Sequence, residues 1–133
     1  MSSAASNRYK YVLLQNVFSH QFIACLMNET FLFDKDAHEE WSDASESELS
    51  SPAYTGGVSV QCQGVEQFND YDKATLTFGN ISFTGDGGDI GPSIGIIIYD
   101  SSIPGNPIVG FIDFVAPITD SSIVSTGVKF DIE

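Results

Sequence analysis

The run Gly85-Asp86-Gly87-Gly88-Asp89 is the stretch of this chain whose residue types come closest to a chemical motif. Its glycines would let backbone amides approach a phosphate, and Asp86 and Asp89 offer oxygens to a calcium ion. It lacks the D-x-D-x-D-G order and downstream Glu of an EF-hand, and no Lys follows it as in a phosphate-binding loop. A tight turn between strands accounts for it without a ligand, because glycine tolerates positive φ. Asp70 and Asp72 flank Tyr71 at a spacing that could put both carboxylates on one strand face, but a glycosidase carboxylate pair is defined by its distance in space and is not recognisable from sequence separation. Nothing beside them suggests acid–base work.

The two imidazoles, His20 and His38, stand apart. His38 has acidic neighbours and Ser42 close by, but no nucleophile setting such as G-x-S-x-G exists, so a solvated or locally hydrogen-bonded histidine is expected rather than a base. Cys25 and Cys62 each sit in an apolar strand pattern and are expected as two buried thiols; two ligands also fall short of a zinc site. The sequons at Asn28 and Asn80 carry little weight in a chain whose start does not read as a secretory signal. No catalytic, cofactor-binding or metal-binding residue is assigned, no cofactor is implied, and the chain is not expected to be an enzyme.

The elements that would position any site are strands. Between Ile94 and Phe114 two intensely apolar runs, IGIIIYD and PIVGFIDF, are joined by DSSIPGNP. Ile97, Ile98, Phe111 and Ile112 fill both parities of the strand period, so both faces should be covered and the pair should be interior. The runs 9–18, 20–27 and 31–33 are β-rich, and VSVQC (58–62), ATLTF (74–78), ISF (81–83) and GVKFDI (127–132) follow with turn residues between them. The expected fold is all-β, an antiparallel β-sandwich or jelly roll of about seven to nine strands. Residues 1–8 read as a flexible N-terminal arm and residues 9–133 as a single domain.

One segment departs from this pattern. Residues 34–51, DKDAHEEWSDASESELSS, hold seven of the eighteen acidic residues and the chain's one Trp. Asp34 or Asp36 would cap a short helical turn through His38 and Trp41; otherwise the run is an ordered excursion over the sandwich or a solvated loop. A lone Trp among charges tends to anchor a loop on a core or to enter a partner. Five basic residues against eighteen acidic ones leave a formal net charge of -13, which disfavours nucleic acid and anionic membranes and favours a basic protein surface. No run approaches the roughly 20 apolar residues that span a bilayer. The expected place of synthesis is a cytoplasm.

In order, FDKDAHEEWSDASESEL (33–49), YTGG (54–57), ATLTFGNISFTGDGGDIGP (74–92), GIIIYDSS (95–102) and NPIVGFIDF (106–114) resemble the small virion proteins of tailed bacteriophages, of the head decoration (cement) or head–neck accessory kind. The resemblance covers about residues 20–115 and rests on spacing and turn residues. It implies a non-enzymatic structural component made in the host bacterial cytoplasm and carried in the virion. Its partners would be the major capsid protein or other virion proteins, and it would form a homo-oligomer or symmetric array. Asp34, Asp36, Glu39, Glu40, Trp41, Asp43 and Tyr54 are the candidate partner-binding residues. The alternatives are a neck or tail position in the same particle, and a carbohydrate- or ligand-binding sandwich module using Trp41, Tyr54 and Tyr71 as stacking platforms.

Overall fold

Alternation in the run Phe22–Asn28 sends Phe22, Ala24 and Leu26 to one side and Cys25 and Met27 to the other, and all five are buried. That two-sided burial organises the whole fold. The structure, a computed structural model, describes residues 19–68 and 73–132. The arm expected at 1–8, the β-rich run 9–18, and Asp70, Tyr71 and Asp72 lie outside the described residues.

The described strands are β1 (Phe22–Asn28), β2 (Val58–Val60), β3 (Cys62–Phe68), β4 (Lys73–Phe78), β5 (Ile81–Thr84), β6 (Ile90–Asp100), β7 (Ile108–Asp120), β8 (Ser122–Ser125) and β9 (Lys129–Ile132). They pair antiparallel in a four-stranded sheet β2-β1-β6-β7, a three-stranded sheet β3-β4-β9 and a two-stranded ladder β5-β8. The all-β antiparallel architecture is therefore as expected. The longer core lies between the sheets: Phe22, Leu26 and Ile96 of the first meet Leu76 and Phe78 of the second, with Ile81, Phe83 and Ile123 of the short ladder closing one side. Each such side chain taken from water contributes about 1.5–3 kcal/mol.

A second, smaller core lies on the outer face of the four-stranded sheet. Met27, Phe31, Ala44 and Ile97 are buried there, and Phe33, Trp41 and Phe111 pack against them. The apolar runs point to two interior strands, and β6 is one, but β7 is the outermost strand of its sheet among the described residues. Its second face is covered at Ile108 and Phe111 by the acidic excursion and the run leading into it, and not by another sheet. The run 31–33 likewise forms no ladder, because it crosses the outer face: Phe31 is buried, Phe33 half-buried, and Leu32 points away.

The excursion is ordered throughout. Asp34 caps a turn, its Oδ1 accepting from the Asp36 N–H at 2.9 Å, and no helix begins there. The helical turn starts later, as α1 (Trp41–Ala44), and a 3-10 turn at Ser45–Ser47 follows. The Glu39 carbonyl accepts from the Ile108 N–H at 2.8 Å and the Asn106 carbonyl from the Trp41 N–H at 2.9 Å, which ties the far end of the excursion to the start of β7. The return leg meets β1, where the Leu49 N–H donates to the Leu26 carbonyl at 2.8 Å.

Candidate functional site

The seven candidate binding residues divide between two edges of the sheet. Asp34, Asp36, Glu39, Glu40 and Asp43 are exposed on the excursion. Trp41 turns inward and stacks on Tyr99, with ring centroids 5.0 Å apart and planes inclined by 15°. It anchors the loop. Tyr54 is half-buried at the edge of β1 that faces β2, where β2 pairs only with Phe22–Ala24 and leaves Leu26 without a strand partner on that side.

Several of the carboxylates serve the fold. Asp43 Oδ2 accepts from the N–H groups of Glu40 (3.0 Å) and Glu39 (3.1 Å), and these bonds hold its carboxyl below the usual range. The Glu40 carboxylate lies against Gly105, in the loop between β6 and β7. Glu48 Oε2 accepts from the Tyr54 hydroxyl at 2.7 Å. Asp36, Glu39 and Glu46 remain as exposed carboxylates on this segment.

Tyr54 replaces a missing strand. Its hydroxyl oxygen accepts from the Leu26 N–H at 3.2 Å while donating to Glu48, so a backbone donor beyond the end of β2 is satisfied. Cys25 lies in the same cluster. Burial pushes its thiol well up, and the Glu48 charge and hydrogen bond push the same way. Burial and the bond to Glu48 also push the Tyr54 phenol well up. Both groups are held neutral, which makes the thiol unreactive. Tyr54→Phe removes a partner from both Leu26 N–H and Glu48, and should cost about 1–3 kcal/mol in chemical denaturation. The raised acids also set a pH dependence. The unfolded thiol ionises near pH 8.5 and the phenol near 10, whereas the fold retains both protons. Their contribution is intact below about pH 8.5 and declines as pH rises above it. The denaturation midpoint should therefore fall from about pH 9 upward, and should fall less steeply in Cys25→Ala; a flat midpoint to pH 11 would contradict the buried cluster.

The histidines, the second cysteine and the GDGGD run lie elsewhere on the fold. His38 Nδ1 accepts from the Asp34 N–H at 2.9 Å, and its ring stacks on Phe33 at 5.8 Å. His20 Nδ1 lies 2.6 Å from Oδ2 of the buried Asp100, whose Oδ1 accepts from the Ser102 N–H, and so pins the entry to β1 to the β6–β7 hairpin. Cys25 and Cys62 are buried free thiols, as expected. The GDGGD run is a turn between β5 and β6 in which Gly87 adopts φ +80° and Asp86 and Asp89 are exposed. Among the described residues no group of three or more His, Cys, Asp or Glu is arranged to hold a metal ion, and no helix is long and apolar enough to cross a membrane.

Two surface features were not foreseen from the residues. An open-sided depression of about 420 Å³ is lined by Phe31, Leu32, Phe33, Ile94, Phe111, Asp113 and Val115. Leu32 is 85% exposed and Val115 is 87% exposed, the two most exposed large hydrophobic residues described. A smaller depression of about 310 Å³ includes Glu29, Glu46 and Glu48 in its wall. A signal for Leu32 did exist, since a Leu between two inward Phe residues in an extended run must face out. No known protein family, curated protein or solved structure matches the chain.

Proposed function

We propose that this chain is a non-enzymatic structural component of a tailed-phage virion, a capsid decoration protein that binds the head shell through its outer face. The observation that carries this reading is the ordered acidic excursion. Trp41 beneath it, together with Phe31 and Phe33 of the run that leads into it, packs on the four-stranded sheet, while Asp36, Glu39 and Glu46 are presented to solvent. A long loop held rigid from beneath, on a chain of net charge -13, suits docking against a basic protein surface. The order of segments resembling small phage virion proteins supplies the particle. In a carbohydrate-binding module Trp41 and Tyr54 would need free faces or hydroxyls, but Trp41 stacks on Tyr99 and the Tyr54 hydroxyl is bonded on both sides.

Mass spectrometry and cryo-EM of purified particles test the proposal. The chain should be present in mature virions, on the order of hundreds of copies for a shell position and about a dozen or fewer for neck or tail. Its absence from mature particles would overturn the reading. In co-sedimentation at two salt concentrations, the combined Asp36→Asn, Glu39→Gln and Glu46→Gln variant should attach more weakly and with less salt dependence than the unaltered chain, because exposed rim charges steer encounter.

A further inference from the structure

We propose that the end of the four-stranded sheet where β1 stops and β6 begins is a docking site for a basic, partly apolar protein segment, which inserts an apolar side chain between Leu32 and Val115 and sets a Lys or Arg beside Glu29 and Glu46. This deepens the reading of the chain as a protein-binding component and rests on it.

The first observation is the apolar depression. Phe31, Phe33 and Phe111 form its aromatic base: Phe33 stacks on Phe111 at 5.6 Å, and Phe31 meets the Phe111 ring edge-on at 5.5 Å. Leu32 and Val115 stand beside it almost wholly in solvent. Isolated exposed hydrophobic residues are ordinary, but two beside an aromatic-lined hollow form a patch of the kind that marks recognition surfaces.

Backbone strain supplies the second. Val115 adopts φ +72°, a left-handed conformation that β-branched residues rarely take. Its N–H donates to Asp113 Oδ1 at 2.8 Å, which holds the conformation in place. The register of β7 against β6 jumps here, from Asp113 opposite Gly95 to Ile118 opposite Ser93, so residues 114–117 bulge out of the ladder. The strained side chain makes no core for its own fold. Such outliers persist where the surroundings enforce them, and they concentrate at binding sites.

Charge identifies the occupant. The lining contains Asp113 and no basic residue. The acidic hollow with Glu29 and Glu46 shares no lining residue with the apolar one. Its Asn28 and Pro92 nevertheless stand only a few positions along the chain from Phe31 and Ile94 of the apolar hollow, at the end of the sheet where Asn28 of β1 pairs with Ser93 of β6. A second copy of this chain would bring another -13 to the contact, whereas a basic segment meets complementary charge. β7 also has a strand neighbour on one side only among the described residues, which leaves its outer edge beyond Ile108 open to an extended segment.

The test is an NMR titration of the full, isotope-labelled chain with a short peptide of alternating Leu and Lys, and with its Leu/Glu counterpart as control. The Lys peptide should perturb amides around Leu32, Asp113, Val115 and Glu29, and the Glu peptide should not bind. Leu32→Ser and Val115→Gly should each weaken binding by about tenfold; Leu32 is a surface position, and glycine accepts the Val115 backbone, so both variants keep the fold. Glu29→Gln with Glu46→Gln should weaken binding and flatten its salt dependence. Perturbations centred on Asp36 and Glu39, or binding unchanged in Leu32→Ser, would overturn the site, since either would mean general attraction to an acidic surface. Self-association of the unaltered chain that Leu32→Ser abolishes would overturn it in favour of a second copy. A negative titration leaves the virion proposal standing, and absence from particles leaves the titration result standing, so the two fail separately.

Discussion

Ile97→Ala should destabilise the chain by about 2–5 kcal/mol, the usual cost of deleting most of a fully buried aliphatic side chain and leaving a cavity. Ile97 is fully buried in the outer-face core with Met27, Phe31 and Ala44, on the strand pair that β1 and β6 form through Cys25 opposite Ile97. The loss reaches the excursion as well, because Phe31 and Ala44 belong to that segment and its approach. Phe111→Ala should fall in the same range. Phe111 is only half-buried, but its ring supports Phe31 and Phe33 and lies so close over Gly95 that a Cβ there would collide with it. Urea denaturation of each variant measures the cost directly. A change below about 1 kcal/mol for Ile97→Ala would mean that the excursion does not seal the outer face in solution.

The second large effect lies on the opposite face of the same sheet. Phe22→Ala should cost about 3–5 kcal/mol. Phe22 is almost wholly buried between the sheets, and its ring meets Phe78 edge-on at 5.1 Å and 82°. Phe78 in turn meets Phe130 edge-on at 5.9 Å, so the three rings bridge the four-stranded sheet to β4 and β9. The two substitutions should also differ in kind. Phe22→Ala weakens the contact between the sheets, whereas Ile97→Ala weakens the cover on one of them. Hydrogen exchange near the transition should therefore rise first in β4 and β9 for Phe22→Ala, and first in residues 31–49 for Ile97→Ala. Identical exchange patterns in the two variants would show that the outer cover and the sheet packing are one cooperative unit.

Local pattern alone determined the all-β class, most strand positions and the turn at GDGGD. A period of two and the backbone demands of glycine are properties of neighbouring residues, and they read directly from the chain. It also determined the buried thiols and the local bonding of His38, since each follows from the apolar or acidic residues around it, whereas the pairing of His20 with Asp100, 80 positions away, does not. Strand β8 (Ser122–Ser125) escaped notice because one buried residue, Ile123, among small polar ones gives too short an alternation to register.

Tertiary structure decided what covers the start of the β6–β7 pair and where the candidate binding residues lie. Apolar residues on both parities of a strand require two covered faces, but they do not say whether a sheet or a loop does the covering. Here the acidic excursion does, so the one Trp faces inward onto Tyr99, and Tyr54 leaves the group of carboxylates to satisfy the edge of β1. The same packing brings Leu32 and Val115, which are 83 positions apart in the chain, to one exposed depression. Separation in sequence carries no information about such a meeting. It exists only once β7 has paired with β6 and the turn after β1 has carried residues 31–33 back across the sheet, because a surface site is made by the arrangement of elements and not by any one of them.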